Sequence, residues 1–267
     1  TGSRNVAIGY EALENQNSDT TNYNTAVGFQ AGRNVTTAIY NTLIGGLAGD
    51  ALTEGNNNTA VGLAALTTDT LGDRNVALGV SALEQQNFTT STDSYNVAVG
   101  YNVGFKITTG INNTLIGGLA GDAITDADDN VAVGTLALST NILGSKSVAI
   151  GKDALLDQNP ATATDMYNVA VGQHAGRLVT TGIFNTLIGG LVGDSLTTGV
   201  NNVAVGYAAL SSDDVGNQSV AIGYGALNQQ NFATSTDAYN VAVGSKAGES
   251  LTTATNSTFL GGLAGES

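Results

Sequence analysis

The residues able to do chemistry are few, and most recur at intervals. One histidine is present, His174, followed by Ala175 and Gly176. Three acids, Asp50, Asp122 and Asp194, return every 72 residues, each behind L-A-G or L-V-G, while the acidic run Asp126, Asp128, Asp129 stands once. A Ser-His-Asp nucleophile needs a histidine held in one orientation. The slot of His174 is filled by Gln30, Asn102 and Lys246 in corresponding repeats, so it reads as a solvated outer position. Calcium takes clustered carboxylates and carbonyls, which makes Asp50, Asp122 and Asp194 weak metal candidates. Neither EF-hand spacing nor a G-G-x-G-x-D array is present. Acids scattered over a repetitive surface do not define two carboxylates flanking a substrate. Thr36–Thr37, Thr108–Thr109, Thr180–Thr181 and Thr252–Thr253 could begin an ice-binding row, but they fall mainly in one repeat of four. With no cysteine there is neither a disulfide nor a thiolate site. We expect no enzyme and no cofactor.

The bulk numbers agree. The 267 residues carry a formal charge of −14, which disfavours nucleic-acid backbones, since these need clustered Lys and Arg. The acidity keeps a surface of neutral residues soluble. Apolar residues make up 42%, too many for a disordered chain. No apolar run approaches the ~20 residues of a membrane helix. No signal peptide or initiating Met opens the chain, so Thr1 is expected to begin a fragment or a processed piece.

The elements that position these residues are written as one phrase, repeated fifteen times. Asn24–Gly28 reads N-T-A-V-G, Asn41–Gly45 N-T-L-I-G and Ser219–Gly223 S-V-A-I-G. The basic step is 17 residues and every fourth is longer, so a 72-residue super-repeat emerges: 3–72 (two residues short), 73–144, 145–216 and an incomplete 217–267. Helix-pair repeats need more than ~30 residues. Val, Ile and Thr suit strands, and Gly every few residues costs a helix about 1 kcal/mol each. The spacing predicts an all-β parallel solenoid of about 15 coils. Each coil is expected to hold a strand, a turn, a second short strand and a return loop. Stacking at ~4.8 Å gives a rod of roughly 65–70 Å. Phase never breaks, so a single domain over 1–267 is expected.

Side chains alternate across a strand. The fourth position of the phrase is aliphatic in every coil. The third, on the opposite face, is Ala in eleven, Leu in three (Leu43, Leu115, Leu187) and Phe in one (Phe259). The strand is therefore apolar on both faces, and a thin coil hides only one. The third-position face is expected to need a second cover, supplied by sister chains. The closing glycine serves a positive φ or a close backbone approach. The opening Asn, or Ser at 147, 219 and 257, suits a stacked amide ladder. Large third-position residues come with extra glycine, as in L-I-G-G-L-A-G, which reads as volume compensation in the core.

Four longer returns, at 14–23, 84–95, 156–167 and 228–239, each end in a tyrosine: Tyr23, Tyr95, Tyr167 and Tyr239. They are expected to protrude every fourth coil. Their tyrosines either cap the core or, with Phe88 and Phe232, form stacking platforms for a repeated receptor or glycan contact.

S-V-A-I-G and N-T-A-V-G, each followed by x-x-A, resemble the head repeats of trimeric autotransporter adhesins (YadA-like heads). The 17-residue spacing resembles the N-T-A-V-G-x-x-A-L arrays of phage tail fibres. The resemblance spans the whole chain. It implies a left-handed parallel β-roll, three identical chains around one axis, and exposure on a bacterial surface or virion. The implied function is attachment to a cell-surface protein or glycan receptor, with a purely structural shaft as the alternative and a calcium- or ice-binding solenoid as the third reading. No membrane insertion by this segment is expected.

Overall fold

The computed structural model describes residues 3–266. The protein is an all-β parallel solenoid of about 15 coils of some 17 residues, with no helix among the described residues. The chain divides into two compact units, Thr1–Asn130 and Val131–Ser267. In the first, three-residue strands from Val6–Ile8 to Thr114–Ile116 pair in parallel, each with the next along the chain. The second does the same from Val131–Val133 to Thr258–Leu260. Every pairing matches phrase position to phrase position, as in Ala26↔Leu43 and Val27↔Ile44. Among the described residues nothing is long and apolar enough to be a membrane-spanning helix.

The expected second strand is absent from most coils. Among the described residues, two-residue strands occur only at the long returns: Gly72–Asp73 with Thr92–Asp93, Gly144–Ser145 with Thr164–Asp165, and Gly216–Asn217 with Thr236–Asp237. Elsewhere the coil is a run of turns. Successive turns still stack through backbone hydrogen bonds, such as Thr36 N to Thr53 O at 2.9 Å and Leu47 N to Phe29 O at 2.8 Å. Left-handed residues break any extended run, and each sharp corner needs one.

Which face lies inside is the main correction. Third-position residues point into the coil, and from Ala26 to Ala242 all are fully buried. The fourth-position residues face outward in the single chain: Ile44 is 38% exposed, Ile116 39% and Ile188 40%. The strand is apolar on both sides, as its residues require, but the side left without cover is the aliphatic one. The alanines line the interior.

Space explains that choice. The residue four beyond the phrase glycine also points inward; it is Leu in seven of the eleven coils whose strand carries Ala (among them Leu66, Leu138 and Leu210), and Gly both where the strand carries Leu or Phe and in the coil just before. A Cβ at Gly49 would stand 2.7 Å from Leu43 Cδ2, and one at Gly121 would stand 2.9 Å from Leu115 Cδ2. The glycine of the preceding coil is equally tight, with Gly104 2.9 Å from Leu115 Cδ1. Volume is thus exchanged between strand and corner, although the glycines responsible are not the doubled ones. Gly118, the extra glycine of the third coil type, would meet nothing within 4 Å. Leu66, Leu138 and Leu210 occupy the same corner with φ near 53°. A non-glycine residue there costs about 1–2 kcal/mol, which burial of a Leu side chain, about 1.5–3 kcal/mol, offsets.

The phrase glycine meets both of its predicted requirements at once. Gly28 has φ 141°, and a Cβ on it would come 2.5 Å from Gly45 O in the next coil. The Asn ladder also forms, buried at 0–1%. Asn41 Oδ1 accepts the Asn58 backbone N–H at 2.8 Å, while Asn41 Nδ2 donates to Gly55 O at 2.9 Å. One amide therefore supplies an acceptor to the next coil and a donor to its own, satisfying backbone groups that the corner would strand in a dry interior.

Candidate functional site: the outward aromatic rows

Two rows of large side chains run along the outside. The first is the residue just before the phrase, which is left-handed in every coil: Arg4, Tyr23, Tyr40 and Asn57, and in the second unit Lys146, Tyr167, Phe184 and Asn201. Tyr23 and Tyr40 stack at 5.6 Å and 12°, and Tyr167 and Phe184 at 5.6 Å and 10°. In three super-repeats a cation covers the tyrosine: Arg4 over Tyr23 at 5.4 Å, Arg74 over Tyr95 at 5.5 Å and Lys146 over Tyr167 at 5.4 Å. Arg74 also pairs with Asp93, and Lys146 with Asp165 at 2.6 Å. The hydrogen bond that Lys146 donates to Asp165, with Tyr167 adding to it, raises the Lys146 pKa. At the fourth site Gln218 replaces the cation, and Asn217 Nδ2 donates to Asp237 Oδ1 at 3.2 Å instead.

Tyr23, Tyr95, Tyr167 and Tyr239 are 44–50% exposed, so they form part of a surface row and do not cap the core. Phe88 and Phe232 are inside, 5% and 6% exposed, and a ring so placed offers no free face. The long return folds its hydrophobic and amide residues inward. Gln86 Nε2 donates to Asp69 Oδ2 at 2.6 Å and Gln86 Oε1 accepts from Asn96 Nδ2 at 2.9 Å, while the tip 89–91 is exposed throughout. Asp69 and Asp213 are fully buried at this point, and burial pushes both carboxyls up in pKa against their hydrogen bonds. Asn141 fills the equivalent place ahead of the return 156–167. Reading the chain missed Tyr40, Phe184 and the three cations. Their signal was available, since each stands immediately before a phrase.

The second row is the residue after the phrase glycine. Tyr10 stacks on Phe29 at 5.5 Å and Tyr207 on Tyr224 at 5.7 Å. His174 lies beside this row and is less solvated than its variable slot suggested. Its Nε2 stands 3.1 Å from Asp153 Oδ2, which also accepts from Lys152 Nζ at 2.6 Å. Gln30 Nε2 bonds Glu11 Oε2 at 2.6 Å in the corresponding place, so the contact is a coil-to-coil prop with a different pair of side chains.

The three aspartates are not gathered. Asp50 accepts from Thr67 Oγ1, and Asp194 is raised in pKa by burial, with Arg177 and His174 opposing. No group of three or more His, Cys, Asp or Glu side chains that could hold a metal occurs among the described residues. No protein-family model matches the chain, and no curated protein matches it either.

Proposed function

We propose that this chain is a segment of a homotrimeric, left-handed β-roll fibre displayed outside the cell, on a bacterial surface or a virion, which attaches to a cell-surface protein or glycan receptor and performs no catalysis. The observation that carries the reading is the outward aliphatic row: Val, Ile or Leu at the fourth position of every coil, none of them buried in the single chain. Covering each such side chain returns about 0.5–1 kcal/mol, so the row supplies on the order of 10 kcal/mol to association. Soluble monomers rarely leave a continuous apolar stripe of that kind open, and identical chains around a closed axis cover it with the same residues on each. Light scattering on the purified protein tests this. Three times the chain mass is expected; a stable monomer at micromolar concentration would sink the assembly and the fibre with it.

A second reading is a structural shaft with recognition elsewhere. The cation–tyrosine clamps favour it, because a tyrosine held on one face by Arg74 or Lys146 already has a role in fastening the long return. Replacing Tyr95, Tyr167 and Tyr239 together by Ala separates the two. Target attachment drops under the adhesive reading and stays unchanged under the shaft reading.

A further inference from the structure

Four coils carry a doubled glycine, which puts Gly46, Gly118, Gly190 and Gly262 in the second outward row where seven other coils carry Tyr, Phe, Leu or Val and four carry Thr, Lys, Gln or Ser. The core does not demand this. A Cβ on Gly190 would touch only the Tyr207 ring, at 3.5 Å, in ordinary contact, and its φ is not in the left-handed region. What the glycine does is leave one rung of the row empty. The result is a notch of about 310 Å³ lined by Gln173, His174, Gly190, Leu191 and Tyr207. Gln173 and Tyr207 belong to the coils on either side, two rung heights or about 9.6 Å apart. Tyr207 stacks on Tyr224 with its far face, so its near face looks into the gap. Of the four, Gly46 lies under Leu63, whose Cδ1 is 3.3 Å from a Cβ built there and fills that rung.

We propose that the Gly190 notch binds one pyranose ring of a glycan, stacked by its C–H face on Tyr207. A sugar ring has an apolar face and a polar rim, and the notch offers the same two things. Tyr207 and Leu191 supply apolar contact, and the Gln173 amide supplies a donor and an acceptor at the edge. The Asp153 carboxylate can only accept, so the 3.1 Å contact makes His174 Nε2 the donor and leaves Nδ1 for a sugar hydroxyl, which can accept a hydrogen bond or donate one. A flat aromatic guest would leave these polar groups without partners. The row also carries Lys152, Gln173 and Ser245, so unlike the uniformly aliphatic fourth position it lies outside the face that sister chains would cover. The inference rests on the adhesive reading of the chain and names its ligand class and a contact point besides the tyrosine row.

The test uses the intact protein and two variants. Gly190→Leu refills the rung with the residue found at Leu63, and Tyr207→Ala removes the wall. Methyl glycosides of glucose, galactose and N-acetylglucosamine are titrated while the Gly190 amide and Tyr207 ring resonances are followed. Saturable shifts are expected for at least one sugar with a Kd of ~1 mM or below, weakened about tenfold or more in both variants, with the melting temperature of Gly190→Leu unchanged. Absence of shifts at ten times that concentration, equal shifts in Gly190→Leu, or shifts that follow protein concentration without sugar would each overturn the proposal. Attachment to target cells is scored in parallel. Wild-type attachment that Gly190→Leu leaves intact sinks the notch alone, whereas no wild-type attachment to any surface sinks the adhesive reading.

Discussion

At the residue scale the buried polar groups decide how the coil is closed. Asp213 Oδ1 accepts the Gly216 N–H at 3.0 Å and Oδ2 accepts Gln230 Nε2 at 2.5 Å, yet burial holds its folded-state pKa above the unfolded one. A raised carboxyl stabilises the fold below its unfolded pKa of about 3.9, and that contribution is lost as pH rises through the raised value. At neutral pH the charge is therefore a burden. Asn141 shows the neutral solution, accepting from Gly144 N at 3.0 Å and donating to Gly144 O at 2.7 Å. Asp213→Asn should raise stability at pH 7 by about 1 kcal/mol and flatten the fall in stability as pH rises above the unfolded pKa, read by chemical denaturation at several pH values. Asp69→Asn should gain less. Gln230 Nε2 keeps Ser219 Oγ as a second acceptor at 2.9 Å, whereas the Ser219 position is Asn75 beside Asp69. The ladder behaves differently. Asn58→Ala strands the Asn75 N–H and the Gly72 carbonyl, both bonded at 2.9 Å, and should cost about 2–3 kcal/mol. Asn58→Ser should cost less, because Ser147 and Ser219 stand at that place naturally.

At the element scale one coil is a closed packing problem shared between strand and corner. Gly121→Ala places a methyl 2.9 Å from both Leu115 Cδ2 and Ile124 Cδ1 at a φ of 56°, and should lose about 1–3 kcal/mol. Gly118→Ala, three residues earlier in open space, should change stability by less than about 0.5 kcal/mol. Combining Gly121→Ala with Leu115→Ala should give a total loss smaller than the sum of the single losses, since the second change opens the space the first needs. Thermal melts of the four proteins complete the cycle, and strict additivity would contradict the shared volume. The clamps on the long returns are weaker devices. Arg74 and Asp93 are both well exposed, so Arg74→Ala should lower stability by no more than about 1 kcal/mol. Its effect should show instead as faster proteolysis at the exposed tip 89–91.

At the scale of the whole molecule the outward aliphatic row carries the proposed assembly. Ile116→Lys and Ile188→Lys change side chains that face away from the coil interior. The β-sheet circular dichroism of each should persist while the particle mass falls, which light scattering and far-ultraviolet spectra together would detect. Loss of both signals would mean that the coils do not hold without their partners.

The chain itself announced the strand positions, the parallel in-register stacking, the buried amide ladder and the double duty of the phrase glycine. Each follows from a local pattern repeated in phase: three apolar residues, an Asn before them and a Gly after. It also announced that both strand faces are apolar, and for that reason it could not announce which one lies inside. A period-two pattern separates inside from outside only when the two faces differ in polarity, and Ala against Val does not. The folded coil decided by volume. Its interior accepts Ala, or Leu with glycines before and behind, so the branched side chains went outward and became the surface to be covered. The second strand, the inward turn of Phe88 and Phe232, and the open rung at Gly190 were likewise settled only when neighbouring coils came within one rung of each other, because each depends on what the coils on either side leave empty.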